Sequence, residues 1–354
     1  MKKEKKAPES LLPPQLVDRL RGLSASAEVQ GELPATLLDI IHDYRWFKLF
    51  VPRSLGGLEL SLPEAVRLEE ELARIDGSLG WTVTLCSGAN LFVGYIDRSI
   101  GQAVFADRAV CLGGSGQASG TAVVENDGYR VSGKWRYATG APHLTHFTAN
   151  CVIEQQGKPI RHEDGTPLVR SFFFPKADVR VLKDWNAFGL KATASHSFEV
   201  DNLWVDETHT FSIIPQAATW DHPIYQYPFL PLAEVTLAVN TLGMARHFLE
   251  CAAATDTARL LESVDAAEKE IQKTRELFYD VLDASWNELI RTGTVSTERS
   301  TAISEWSRAL VSVSREQVVA VYPQVGLIAA DASSTANRVW RDLFTASQHS
   351  LLRL

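Results

Sequence analysis

Cysteine is scarce in this chain and poorly spaced for metal or disulfide chemistry. Its four cysteines, Cys86, Cys111, Cys151 and Cys251, are scattered through 354 residues without a C-x-x-C pair. The spacing argues against a zinc or iron–sulfur motif and against a disulfide scaffold, so no metal is expected and a reducing cytoplasm is the expected compartment. Positive charge is not in surplus either. Thirty-five Lys and Arg stand against 43 Asp and Glu, and the net charge of −8 gives no general attraction to nucleic acid or an anionic membrane. No apolar run is long enough to span a bilayer. The opening MKKEKKAPES lacks the apolar stretch of a secretory signal and reads as a frayed tail over 1–10. There is no internal repeat. What remains is a chain with 45% hydrophobic and 22% charged residues. That is an ordinary globular composition with a sizeable core, at a length suited to about two to three domains.

Three zones differ in texture. Over 11–112 the pattern is helical: LLPPQLVDRLRGL and LPATLLDIIHDYRWFKLF read as two helices. SLPEAVRLEEELARIDGSLGW reads as a third, opened by a Ser61–Glu64 capping box, with Leu68, Leu72, Ile75 and Leu79 at helical steps. Over 113–213 the pattern is strand-like. Asp127-Gly128 predicts a hairpin, and Phe147, Ala149, Cys151 and Ile153 alternate onto one side. Short antiparallel strands without intervening helices predict a small barrel or sandwich rather than a nucleotide-binding α/β unit. GSGQASG (114–120) is glycine-rich, but its spacing is wrong for a dinucleotide fingerprint and a hairpin follows it. Over 229–354 helices return, with Ile271, Phe278, Leu282 and Leu289 on one face. The stretch 214–231 is a Pro- and aromatic-rich linker that either packs or lines a cavity. The fold class is therefore α+β, with a helical zone, a β zone and a helical bundle in that order.

GYRVSGKWRYATGAPH (128–143) gathers Trp135, Tyr137, Thr139, Gly140 and His143 near a strand end. A turn after a hairpin strand explains part of this. A site explains it too, because a small hydroxyl residue followed by glycine lets backbone and side chain approach a planar ligand closely. The segment resembles the flavin-contacting strand end of the acyl-CoA dehydrogenase superfamily. It resembles more closely that superfamily's flavin-dependent monooxygenase branch, which carries an aromatic, one residue, then Ser-Gly. Here YATG puts Thr139 in the serine's place. GLKATASHS (189–197) with Trp185, LGMARHFLE and NRVWRDLFTASQH resemble further family segments in the same order. The resemblance implies an acyl-CoA dehydrogenase-like fold with an N-terminal helical domain (11–112), a central antiparallel β-barrel or sandwich (113–213) and a C-terminal helix bundle (229–354). It implies Thr139 beside the flavin N5, with Tyr137, Gly140, Trp185 and Ser195 as further cofactor contacts. The loop bearing Ser115 would lie near the flavin, with Ser115 and Asn90 on the substrate side. That loop has Ala118 where the family usually has proline.

The last stretch separates the two branches. Arg338, Asp342, Thr345 and His349 fall at steps of four, three and four, which predicts a polar stripe on one helical face. The dehydrogenases place a catalytic glutamate shortly after their Arg-Asp pair. Here LFTASQHSLL follows Arg341-Asp342 with no acidic residue, and the next ionisable side chain is His349. Glu234 and Glu250 are alternative carboxylates without a supporting motif. The monooxygenase branch ends Arg-Asp, several residues, then His, and RDLFTASQH resembles that pattern. The resemblance then implies that reduced FMN or FAD, supplied by a partner flavin reductase, reacts with O2 to a C4a-hydroperoxyflavin that oxygenates a small-molecule substrate. Thr139 and His349 would be catalytic, the histidine as base or hydrogen-bond donor. A histidine capping a helix end is the structural alternative. The family's bundles form homotetramers, with a homodimer as the smaller alternative. Two rival functions stand beside this one: an FAD-dependent acyl-CoA dehydrogenase, and a non-catalytic family member.

Overall fold

The computed structural model describes residues 11–255 and 258–352; the predicted tail 1–10 lies outside them. Five helices come first: α1 (Pro14–Gln30), α2 (Ala35–Asp43), α3 (Leu62–Ile75), α4 (Gly77–Asn90) and α5 (Arg98–Phe105). The Ser61–Glu64 capping box opens α3 as predicted, with both reciprocal bonds formed. The single helix expected from Ser61 to Trp81 is in fact two. The chain turns extended at Asp76 (φ −156°, ψ 131°), whose carboxylate accepts the Leu79 N–H at 2.9 Å and so caps α4. Asp followed by Gly favours an N-cap over helix interior, and that local preference outweighs the continuous apolar stripe.

Eight strands follow: β1 (Leu112–Glu125), β2 (Gly128–Ala138), β3 (His146–Gln155), β4 (Lys158–Pro159), β5 (Val169–Pro175), β6 (Arg180–Leu182), β7 (His196–Asp206) and β8 (Thr210–Phe211). They form one sheet in the order β6-β7-β2-β1-β3-β5-β8, with β4 on β3. The hairpin turn is Asn126-Asp127, one residue earlier than predicted, because Glu125 pairs with Gly128. Asn126 accepts the left-handed conformation (φ 53°), while Gly128 starts β2, where a Cβ would collide with the Val205 carbonyl. The pairings are antiparallel except that β1 and β3 run parallel, because β2 leaves β1 for β7 and the chain then crosses to the other side of β1. The sheet curls strongly. Phe147 on β3 and Phe198 on β7 are three strand steps apart, roughly 14 Å in a flat sheet, yet their ring centroids are 4.9 Å apart. Tyr129 on β2 likewise meets Phe172 on β5 at 5.3 Å. The alternation predicted for Phe147, Ala149, Cys151 and Ile153 holds, all four being buried.

The remaining helices are α6 (Phe229–Ala253), α7 (Ala258–Thr292), α8 (Thr297–Val325), α9 (Leu327–Ala330) and α10 (Thr335–Ala346). Helix α6 is buried on nearly every face between α3 and the bundle, while α7 buries the predicted stripe of Ile271, Phe278, Leu282 and Leu289. Two adjacent glutamates of α3 fix this packing. Glu70 receives bonds from Arg246 of α6 (2.5 Å) and from Arg275 (2.9 Å) and Tyr279 (2.6 Å) of α7. Glu69, wholly buried, meets hydroxyls only, with Ser87 donating at 3.2 Å. In the linker, Tyr225 donates to the Phe50 carbonyl at 2.9 Å and Tyr227 bonds Ser285 at 2.8 Å. These aromatics pack, and Phe229 reaches a cavity.

Candidate active site

A cavity of about 230 Å³ lies between α4, α6, β1, β3 and the turn after α10. Helix α4 supplies one wall by its period: Leu85 and Gly88 line it, Phe92 continues the same face four residues on, and Trp81 stands one turn before. Opposite stand Gly113–Gly116 of β1 and Thr148–Asn150 of β3, with Thr139 at the end of β2 and Thr236 on α6. A Cβ built on Gly88 or on Gly116 meets nothing within 4 Å, so both glycines leave open space on the cavity wall. The walls are apolar with a few hydroxyls and peptide groups. Such a lining suits a flat, largely apolar ring system with polar edges.

His349 lines this cavity, but not from a helical stripe. Helix α10 ends at Ala346, and His349 sits in the turn beyond it. Its ring meets Trp81 edge-on at 6.0 Å, and its Nδ1 accepts the Leu351 N–H at 3.4 Å. A neutral ring with Nδ1 so engaged carries its proton on Nε2. The other members of the predicted stripe are structural. Arg338 and Asp342 are buried rather than exposed, and Asp342 accepts the Leu190 N–H at 2.5 Å. Burial, with Asp76 nearby, pushes the Asp342 carboxyl up to about 8. Arg341 donates to the Phe188 carbonyl and pairs with Glu28, both at 2.6 Å. Together they clamp the 188–195 loop onto α10.

That loop meets Thr139. Thr139 Oγ1 lies 3.0 Å from Ser195 Oγ, which lies 2.7 Å from Thr193 Oγ1, and Thr193 donates to the Leu190 carbonyl at 2.8 Å. Each hydroxyl has one proton, so the direction of the chain follows from its end. Thr193 gives its proton to Leu190 and accepts from Ser195, and Ser195 accepts from Thr139. Thr139 therefore keeps only acceptor capacity for a further partner. Gly140 fastens the same junction through its N–H to the Thr193 carbonyl (2.8 Å), with φ 74°.

The other predicted residues divide. Tyr137 and Trp185 pack edge to face at 5.1 Å outside the cavity, and Trp185 lines a separate groove of about 850 Å³ with Lys183, Lys191, His196 and Arg341. The Ser195–Thr139 bond links Thr139 of the cavity to the 188–195 loop, whose Phe188 and Lys191 line the groove. Ser115 lines the cavity, its hydroxyl donating to the Arg136 carbonyl at 2.9 Å across the β1 bulge. Asn90 is a correction. It is fully buried away from the cavity, and both ends of its amide are spent on backbone, to the Phe47 carbonyl (2.7 Å) and from the Leu112 N–H (2.9 Å). A polar residue late in α4 marks a seam between helix and sheet here. Glu234 and Glu250 are also not exposed helix carboxylates: Glu234 pairs with Arg308, and Glu250 with Arg21 and Arg74. Sequence reasoning missed Gly88, although the spacing of Trp81, Leu85, Gly88 and Phe92 carried the signal. It also missed a grouping of Cys86, Cys111 and His143, whose ligand atoms lie within 4.8 Å of one another. Sequence separation hid this set, and the argument that the cysteines are too far apart to share an ion does not hold in three dimensions.

The fold and cavity define a mixed helix-and-sheet protein with its candidate site between sheet and helices, and known proteins share that fold. No family model matches the chain. It is 22% identical over 353 residues to indole-3-acetate monooxygenase of Pseudomonas putida, covering 95% of this chain and 89% of that one. It is 23% identical to the HsaA oxygenase subunit of a flavin-dependent monooxygenase from Mycobacterium tuberculosis, over 95% and 89% of the two chains. The crystal structure of HsaA superposes with a TM-score of 0.87, over 96% of this chain and 93% of that one at 19% identity. XiaF from Streptomyces, solved with FADH2 and glycerol, superposes at 0.86 with 22% identity, over 96% and 90%. The chain thus resembles monooxygenases, among them the oxygenase subunit of a flavin-dependent one, and at 22% identity over 56% of its length also a putative acyl-CoA dehydrogenase of Bacillus subtilis; it has the fold of HsaA.

Proposed function

We propose that the protein is the oxygenase component of a two-component flavin-dependent monooxygenase, taking reduced FMN or FAD from a separate reductase and using O2 to oxygenate a small organic substrate. The carrying observation is the lining of the cavity. Among the described residues that line it there is no Asp or Glu, and His349 is the one titratable side chain. An acyl thioester dehydrogenase needs a carboxylate there to take the α-proton; an oxygenase needs a dry, apolar chamber with hydrogen-bonding groups that protect reactive oxygen. Bound reduced flavin would supply the electrons that activate O2.

The residues fit such a group. Gly88 and Gly116 leave room for a planar ring, and Thr139 offers an acceptor to an N–H at flavin N5, a proton that reduced flavin carries there and oxidised flavin does not. Its hydroxyl chain through Ser195 and Thr193 thus favours the reduced form. Gly140 and Ser195 hold that acceptor in place, and the groove beside Trp185 and Tyr137 would take the tail of the cofactor; Lys183, Lys191 and Arg341 line it together with Glu28 and Glu32, and Glu28 pairs with Lys191 and Arg341. Ser115 lies on the substrate side. His349 holds a proton on Nε2 and donates it to the oxygen being transferred or to a substrate oxyanion, so the donor role is favoured over that of base. The acyl-CoA dehydrogenase-like layout with boundaries at 11–112, 113–213 and 229–354, a homotetrameric or homodimeric assembly and a cytoplasmic location complete this reading.

The test is anaerobic titration with reduced and oxidised FMN and FAD, followed by rapid mixing with O2. Tighter binding of the reduced form and a lag before oxidised-flavin absorbance returns are expected. Tight binding of oxidised FAD that an acyl-CoA then bleaches would replace this reading with the dehydrogenase. Gly88→Leu tests the location. The substitution suits a helix, so the melting temperature should hold or rise, while overpacking by about 1–3 kcal/mol should weaken reduced-flavin or substrate binding roughly 5- to 150-fold. Unchanged binding of both would move the site elsewhere.

A further inference from the structure

The set of Cys86, Cys111 and His143 lies behind the cavity wall and takes no part in the chemistry above. Cys86 is on the inner face of α4, Cys111 immediately precedes β1, and His143 is in the connection from β2 to β3. Both cysteines are wholly buried. Their sulfurs and a His143 ring nitrogen lie mutually within 4.8 Å. His143 Nε2 is buried and makes no hydrogen bond of ordinary geometry among the described residues, although the ring stands close enough to the Cys86 thiol to interact with it. The ring is held by stacking on Phe47 at 5.4 Å, with the planes 12° apart. A Cβ on Gly140 would fall 2.5 Å from His143 Nε2 and 3.4 Å from Cys86 Sγ, so only glycine lets the chain close over this set.

We propose that Cys86, Cys111 and His143 form a binding site for a zinc-class cation, which ties α4, the start of β1 and the end of β2 together behind the active-site cavity. Two thiolates and one neutral imidazole balance a divalent charge, which makes the ion tolerable in a buried place. Bond lengths of about 2.3 Å to sulfur and 2.0–2.1 Å to nitrogen imply ligand-to-ligand edges of roughly 3.5–3.8 Å in a tetrahedron, below the 4.8 Å within which the three atoms lie. The Thr139 carbonyl oxygen, 3.8 Å from Cys86 Sγ, offers an oxygen for the fourth position. Because Thr139 belongs both to this set and to the cavity, the ion would stiffen the wall that holds its acceptor hydroxyl.

The full-length chain, purified under reducing conditions and supplied with zinc, is expected to retain about one ion per chain. With cobalt in its place, thiolate-to-cobalt charge-transfer bands and the ligand-field spectrum of a tetrahedral site should appear. Cys86→Ser, Cys111→Ser and His143→Gln should each weaken binding at least about tenfold, while Cys151→Ser and Cys251→Ser leave it unchanged. If a cysteine variant fails to fold, His143→Gln and the cobalt spectrum of the unaltered protein still decide. Substoichiometric metal without thiolate bands, binding that survives Cys86→Ser, or a Cys86–Cys111 disulfide in place of free thiols would overturn the proposal. Binding is measured without flavin, so its failure would leave the oxygenase reading intact, and the reverse.

Discussion

Replacing His349 by alanine is expected to slow oxygenation of the substrate about 10²- to 10⁴-fold, the range for losing a positioned proton donor. Reduced-flavin affinity should change far less, because Thr139 and the loop at 188–195 are untouched. O2 consumption should continue but be diverted to hydrogen peroxide, so the measurement is the ratio of oxygenated product to peroxide alongside the rate. The expectation rests on position. The ring lines the cavity, is held against Trp81 and Leu351, and is the one titratable side chain there among the described residues. His349→Asn keeps a donor at similar reach and should recover part of the loss. If His349→Ala oxygenates at the original rate and coupling, the histidine only finishes the chain after α10, and the proposed donor is wrong.

Removing Glu70 and removing Glu69 should have opposite effects on stability, although the two are sequence neighbours and both are buried. Burial alone would raise the Glu70 carboxyl, but Arg275, Arg246 and Tyr279 reverse this and hold it below its ordinary value. Glu70→Ala strips the counter-charge from two partly buried arginines and is expected to destabilise the fold by about 3–5 kcal/mol. A carboxyl lowered on folding contributes stability above its unfolded value, and that stability is lost as the pH falls. Among the described residues no cation pairs with Glu69, and burial pushes it from 4.5 up to about 8 against the hydrogen bonds of Ser87 and Thr84. A carboxyl raised on folding contributes fully at low pH, and the advantage declines by about 1.4 kcal/mol per pH unit between those two values. Glu69→Gln should therefore match the unaltered protein near pH 4 and exceed it at pH 8. Denaturant unfolding of both variants across that range is the check; parallel pH profiles for Glu69→Gln and the unaltered protein would mean that Glu69 is not protonated in the fold.

Much of the fold was legible because its signals are local. The Ser61–Glu64 box, the alternation in β3 and the stripe on α7 each depend on residues within a few positions of one another, and each occurs as predicted. The errors are also local preferences, decided by what lay across the chain. The predicted Asp127-Gly128 turn shifted to Asn126-Asp127 because Gly128 is needed beside Val205. Asn90, a plausible substrate contact from its place late in α4, is instead the pin between Phe47 and Leu112.

By itself the sequence determined the element types, their order and the presence of a histidine without a neighbouring carboxylate near the C-terminal end, since periodicity, caps and composition are properties of short stretches. Tertiary structure alone decided which polar groups share a space. It bent the sheet until Phe147 met Phe198, ended α10 before His349 and aimed that ring at the cavity. It gave adjacent glutamates opposite charge preferences, because partners more than 170 residues away reach one and not the other. It brought Cys86, Cys111 and His143 within 4.8 Å of one another. Desolvation, proton direction and ligand geometry depend on neighbours in space, and the chain supplies those only when it folds.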